Sequence, residues 1–201
     1  MILLIVLEGQ DCTGKTSLAP RIRDFLEGEG FIVKGKSFPE KTPRVLKYLE
    51  LGQSSGISSR SFQSTCFLQK MDWQRTKESQ NQWWVLDRWG PSGTVYGFLD
   101  DNEDVTFSEF LNYTDPNYRM LEKPAIGFIL VCDPKESIKR LHQRGELPSV
   151  YETTLRQERL HTLFKTYAMM DSSYMLIDTT DLSLDEVYLN IESVLKKVFS
   201  L

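Results

Sequence analysis

The sequence predicts an α/β fold: a three-layer sandwich with a five-stranded parallel sheet and helices on both faces. Three observations predict it. Five short runs of strand character recur, at 2–7, 31–36, 83–87, 125–133 and 174–178. The first is continuously apolar, and the third and fourth are apolar up to a closing Asp apart from Gly127, as strands covered on both faces read. Longer segments with apolar residues at helical spacing separate the runs.

Taken in order, Ile2–Leu7 is the first strand. Residues 15–28 form a helix with Leu18, Ile22, Phe25 and Leu26 on one face, stopped by "GEGF" at 28–31. Pro20 lies inside it and predicts a local kink. Phe31–Lys36 begins the second strand, which ends near "SFPE". A helix is expected over 42–51, a Gly/Ser-rich connector over 52–60 and another helix over 61–80. "WWVLD" at 83–87 is the third strand. The acidic stretch 98–110 lacks metal-ligand spacing and reads as a solvated loop and helix start. "AIGFILVCD" at 125–133 and "YMLID" at 174–178 are the fourth and fifth strands. Helices are expected at 134–143, 152–170 and 183–199, the last burying Val187, Ile191, Val194, Leu195 and Val198.

Composition narrows the function. A chain of 201 residues suits one domain, spanning 1–201. The formal net charge is −4, which argues against a nucleic-acid groove or an anionic membrane surface. Cys12, Cys66 and Cys132 are few and widely spaced, with no CxxC pair, so neither a zinc site nor a disulfide framework is expected. The apolar run at the N-terminus stops at Glu8 without a preceding basic residue, too short for a secretory core. No stretch reaches the length of a membrane span. A soluble, cytoplasmic protein is the expectation.

The chemistry is concentrated in "LEGQDCTGKTSLA" at 7–19, where Gly9–Thr16 fits G-x-x-x-x-G-K-[ST]. Such a match arises by chance in about 1% or less of chains this long, so the motif outweighs a plain glycine turn. Its placement, after a buried strand and before a helix, is what phosphate binding requires. The glycines let backbone N–H groups curl around an anion, and the helix N-terminus adds partial positive charge. Gly9, Gln10, Asp11, Cys12, Thr13, Gly14, Lys15, Thr16 and Ser17 are therefore candidate ATP-binding residues. Lys15 would reach the terminal phosphates, and the Thr16 hydroxyl would hold Mg²⁺.

Further motifs fall at strand ends: "FPE" at 38–40, "LDRW" at 86–89 with "GPSG" at 90–93, then "RG" at 144–145 and "YE" at 151–152. With the phosphate loop, this set resembles the thymidylate kinase family, within the P-loop nucleoside monophosphate kinases, from about residue 2 to residue 198. The resemblance implies transfer of the ATP γ-phosphate to a pyrimidine deoxynucleoside monophosphate, with Mg²⁺, by a homodimer. It implies that Asp11 meets the sugar 3′-hydroxyl, that Phe38 and Lys41 lie by the monophosphate, and that Phe67 stacks on the base. It places Asp87 by the metal and the transferring phosphate, Arg88 on the acceptor phosphate, and Trp89 where it crowds out a 2′-hydroxyl. Ser92 and Gly93 would line the pocket, Arg144 would face the triphosphate, and Tyr151 would cover the acceptor from a lid at about 142–154. Each has a structural alternative: a strand-end ion pair for Asp87 and Arg88, core packing for Phe67 and Trp89, a helix-end cation for Arg144 and a surface position for Tyr151.

The chain departs from the family in two places. The usual arginine on the transferring phosphate is missing from the loop, which has Cys12 and Thr13, and from "ELPSV" at 146–150; Arg140, Arg144, Arg156 and Arg159 are the nearby substitutes. The base-reading arginine falls near Met71, so dTMP or a 5-modified relative such as 5-hydroxymethyl-deoxyuridylate is the expected acceptor. A deoxynucleoside kinase and a P-loop switch without a small-molecule acceptor are the alternative readings.

Overall fold

The protein is described from a computed structural model covering residues 3–43, 45–47, 59–77, 82–101, 105–143 and 153–201. Five strands form one sheet: β1 Leu3–Gly9, β2 Val33–Ser37, β3 Trp83–Asp87, β4 Ile126–Val131 and β5 Tyr174–Asp178. Their order is β2-β3-β1-β4-β5, and every pairing is parallel. Besides short helical turns, the described residues form helices α1 Lys15–Gly28, α2 Ser59–Thr76, α3 Gly90–Asp101, α4 Pro116–Met120, α5 Pro134–Gln143, α6 Thr154–Met170 and α7 Leu184–Phe199.

Side chains alternate across a strand, so β1 feeds two cores. Ile5 and Leu7 join Leu18, Ile22 and Leu26 of α1 and Val187, Ile191 and Leu195 of α7. Leu4 and Val6 join a second core with α2, α3 and α6, built around Trp73, Trp84, Trp89, Phe164 and Tyr167. Strand parity also aims the polar residues at the strand ends. Glu8 follows Leu4 and Val6 toward the α3 side. Asp87 follows Trp83 and Val85 toward the α1 side.

Most sequence expectations hold within two residues, and the exceptions have local causes. Helix α1 runs unbroken through Pro20, which lies on its exposed face. Strand β2 begins at Val33, and the Phe31 ring before it packs on Trp83 at 4.4 Å. Helix α2 ends at Thr76, four residues early. Val198 is exposed rather than inward; the buried stripe of α7 is Val187, Ile191 and Leu195. Pro43 and Val45–Lys47 are helical and Thr42 is not, while the rest of the 42–51 helix and most of the 52–60 connector lie outside the described residues.

By sequence, 90–97 is assigned no element, yet helix α3 spans 90–101. Its cap comes from another strand: the Glu8 carboxylate accepts the backbone N–H groups of Trp89 and Ser92. Residues 98–101 are therefore the last turn of α3 rather than loop. The next helical turn, Phe107–Glu109, begins as expected and is closed by a Thr106–Glu109 capping box.

Candidate functional site

The site lies beyond the carboxyl ends of β1 and β3, where parallel α/β sheets bind ligands. Gly9 ends β1 with φ +121, and a Cβ there would collide with Leu130 O on the neighbouring strand. The loop then turns through Cys12 at φ 61 and Gly14 at φ 90 into α1. No side chain caps α1 and no acidic residue lies in its first turn, so its leading amides keep their affinity for an anion. The loop holds itself in shape: Thr13 Oγ1 donates to Gln10 O at 2.9 Å, and the Lys15 ammonium donates to the same carbonyl.

Lys15 is buried. Burial lowers its pKa to about 8, with Arg88 adding to the effect and Asp11, Asp87 and Glu8 opposing it. An arriving polyphosphate would replace the lost solvation and hold the ammonium charged. An alkaline limb follows. If Lys15 meets a nucleotide's phosphates, kcat/KM for that nucleotide falls above about pH 8, because Lys15 of the free protein loses its proton there. The kcat limb lies at higher pH, since bound phosphate raises the Lys15 pKa. Initial rates across that range check this; a kcat/KM flat to about pH 10 would contradict it.

Opposite the loop stands Arg88, the residue after β3, held at φ 69 with its N–H on Leu7 O at 2.9 Å. Its guanidinium donates to Asp11 Oδ1 and, at 3.1 Å, to Ser92 Oγ, and lies over the Tyr96 ring. Ser92 Oγ in turn donates a hydrogen bond to the Glu8 carboxylate. Burial opposes the Arg88 charge, but Asp11, Tyr96, Glu8 and Asp87 outweigh it and raise the pKa. Asp11 is the counterpart: burial raises its pKa, yet Arg88 and Lys15 bring it below the ordinary carboxylate value. Tyr96 O–H completes the group by donating to Asp11 Oδ2 at 2.9 Å.

Thr16 Oγ1 donates to Asp87 Oδ2 at 2.9 Å. A hydroxyl from the loop helix and a carboxylate from a strand end are hard oxygen donors of the kind Mg²⁺ takes alongside phosphate oxygens. Among the described residues no group of three or more His, Cys, Asp or Glu side chains forms an all-protein metal cage. One hydroxyl and one carboxylate would leave most of the shell of such an ion to phosphate oxygens and water.

Other expected site residues are distributed differently. Trp89 is fully buried between Phe38 at 5.5 Å and Trp73 at 5.3 Å, and its indole N–H donates to Glu122 O at 2.9 Å. It is a core residue and offers no surface to a sugar. Phe38 belongs to the same aromatic core. Gly93 packs against Asn117, whose side chain a Cβ would strike, rather than lining a pocket. Met71 is core, and Phe67 is half-buried against it. Lys41 and Ser17 are exposed, and the side chain of Gln10 is buried away from the cradle. Arg144 and Tyr151, with most of the expected lid, lie outside the described residues. Of the substitute arginines, Arg140 is spent on Thr179 O at 2.7 Å, Thr180 O at 3.0 Å and Glu136. Arg156 pairs with Asp100 at 2.6 Å, and Arg159 is exposed.

Two residues of the site were not picked out in the sequence, Glu8 and Tyr96, while Lys70 was noted only as the neighbour of Met71. Tyr96 lies one helical turn after Ser92, a spacing that becomes readable only once α3 is recognised as a helix. Lys70 lies three residues after Phe67 on α2; it is buried and donates to Trp89 O. Burial lowers its pKa while Glu8 opposes the shift.

A phosphate loop facing a preorganised arginine across the ends of a parallel sheet defines a P-loop phosphotransferase of the nucleoside monophosphate kinase class. The family model described as thymidylate kinase matches residues 7–191, and the chain belongs to the thymidylate kinase family. Thymidylate kinases from Xanthomonas oryzae pv. oryzae, strains PXO99A and MAFF 311018, are each 25% identical over 166 residues, covering 81% of this chain and 70% of theirs. The structure of the thymidylate kinase from Candida albicans is similar with a TM-score of 0.74 at 20% identity, covering 97% of this chain and 91% of that one. The Ehrlichia chaffeensis thymidylate kinase gives a TM-score of 0.66 at 17% identity, covering 97% and 98%.

Proposed function

We propose that the protein transfers the γ-phosphate of ATP to dTMP, giving the diphosphate. The observation that carries this reading is the position of Arg88, whose guanidinium is fixed on Asp11 inside the phosphate loop. A cation for a second anion thus stands beside the cradle for the first. Family membership supplies the nucleotide identity.

The acceptor phosphate is already mostly a dianion at neutral pH, its second pKa being about 6, so no side chain needs to take a proton from it. The difficulty is bringing two anions together in line. The loop amides and Lys15 hold the donor phosphates, and Arg88 holds the acceptor phosphate. Asp11 and Tyr96 orient Arg88 before substrate arrives. Thr16 and Asp87 would hold Mg²⁺, which when bound neutralises charge on the terminal phosphate oxygens. The lid at 142–154, the homodimer and the cytoplasmic setting belong to the same reading. No helix among the described residues is long and apolar enough to cross a membrane.

An acceptor panel tests the reading. ADP formation from Mg-ATP is measured with each deoxynucleoside and deoxynucleotide. Release that depends on dTMP is the expected result. Slow release indifferent to the acceptor would point to a nucleotide switch instead. Because Met71 stands in the core where the family has arginine, 5-hydroxymethyl-deoxyuridylate belongs in the panel as a competitor.

A further inference from the structure

Gln10 sits inside the phosphate loop, yet its side chain is fully buried. Its amide is held on both sides. Nε2 donates to Gln157 O at 3.2 Å and lies 3.4 Å from Gln157 Oε1. Oε1 accepts from the Cys132 N–H at 3.0 Å. His161 Nδ1 lies 3.3 Å from the same oxygen and 2.9 Å from Cys132 O; both are acceptors, so Nδ1 carries the proton. The amide has one orientation only. Turned over, it would set its NH₂ against two donors and its oxygen against two acceptors. Ser137 Oγ, on α5, adds a bond to the next residue by donating to Asp11 O at 3.2 Å.

The backbone carbonyl of the same residue has a different load. It accepts both Thr13 Oγ1 and the Lys15 ammonium. One peptide is therefore pinned from behind by the end of β4 and by α6, and in front it sets where Lys15 rests. We infer that Gln10 is a positioning residue for Lys15: its buried amide, clamped by Cys132, Gln157 and His161, fixes the carbonyl on which Lys15 waits for the donor phosphates. The inference rests on the reading that Lys15 meets the phosphates of ATP. The physical reason is preorganisation: misplacing a reacting group by about 1 Å can cost about 10²-fold in rate. A loop of five residues between β1 and α1, 10–14, has little rigidity of its own, and four bonds to the body of the protein supply it.

Calorimetric titration of the full chain with a non-hydrolysable Mg-ATP analogue tests this as a cycle. Gln10→Met weakens binding about tenfold in the native background. In a Lys15→Ala background the same substitution changes affinity by about twofold or less, because the residue it positions is gone. Gln157→Met removes the side-chain partner but keeps Gln157 O; it shows the same dependence with a loss of about threefold, and decides the matter if Gln10→Met does not fold. Equal losses in both backgrounds mean that Gln10 only supports the loop, and overturn the inference. No loss in the native background overturns it too. Lys15→Ala that leaves affinity unchanged overturns the ATP reading itself, an outcome separate from the other two.

Discussion

Arg88→Ala lowers turnover by about 10²-fold or more, the scale of losing one preorganised charge contact in the transition state. That corresponds to about 2.7 kcal/mol of barrier. The expectation comes from how much of the fold is committed to this one side chain. Arg88 keeps a left-handed backbone, which a non-glycine residue holds only when its surroundings impose it. The imposing contacts are the Leu7 carbonyl on its N–H and the start of α3 directly after it, capped by Glu8. Glu8 also orders Ser92, and Ser92 orders the guanidinium. Asp11 and Tyr96 hold the other side. Arg88→Lys separates charge from shape: it restores a cation but not the fork, and recovers only part of the rate. Steady-state kinetics with dTMP and Mg-ATP measure both variants. Near-native turnover of Arg88→Ala would remove the acceptor side of the site.

Lys15→Ala lowers turnover on the same scale, about 10²-fold or more, and does so without costing stability. The two halves of that expectation have one cause. In the empty site Lys15 is buried, and burial lowers its pKa to about 8. A cation held there is poorly solvated before the nucleotide arrives, which works against the folded apoprotein and in favour of the complex. The linkage sign agrees. A depressed folded pKa means that the unfolded chain binds more protons between about pH 8 and the ordinary lysine value, so this group's contribution to stability rises with pH across that window and is lost as pH falls through it. The apoprotein melting temperature of Lys15→Ala at neutral pH is accordingly unchanged or higher, while its turnover collapses. A variant that melted earlier and kept its rate would reverse the assignment of this lysine from function to structure.

The phosphate loop was readable because its spacing is local: glycines, a lysine and a hydroxyl within eight consecutive residues. Strand β5 and helix α5 matched residue for residue for the same reason, since their apolar periods and end signals are local too. Trp89 shows the opposite case. The family resemblance marks it as a pocket residue, but the choice between a sugar and the rings of Phe38 and Trp73 is made by residues 51 and 16 positions away. Helix α3 was hidden because its cap is a carboxylate from β1, 81 positions distant from Trp89.

By itself, then, the amino-acid sequence determined the sheet-and-helix plan and the glycine, lysine and hydroxyl loop after the first strand, properties of short windows set by hydrophobic period and by backbone freedom at a few glycines; Asp87 and Arg88 were singled out by the resemblance of their motif to the family. The tertiary structure alone decided which buried polar groups pair: Glu8 with the start of α3, Arg88 with Asp11 and Ser92, and the Gln10 amide with Cys132, Gln157 and His161. A buried donor or acceptor must find its partner wherever packing brings one, and hydrophobic patterning carries no record of that choice.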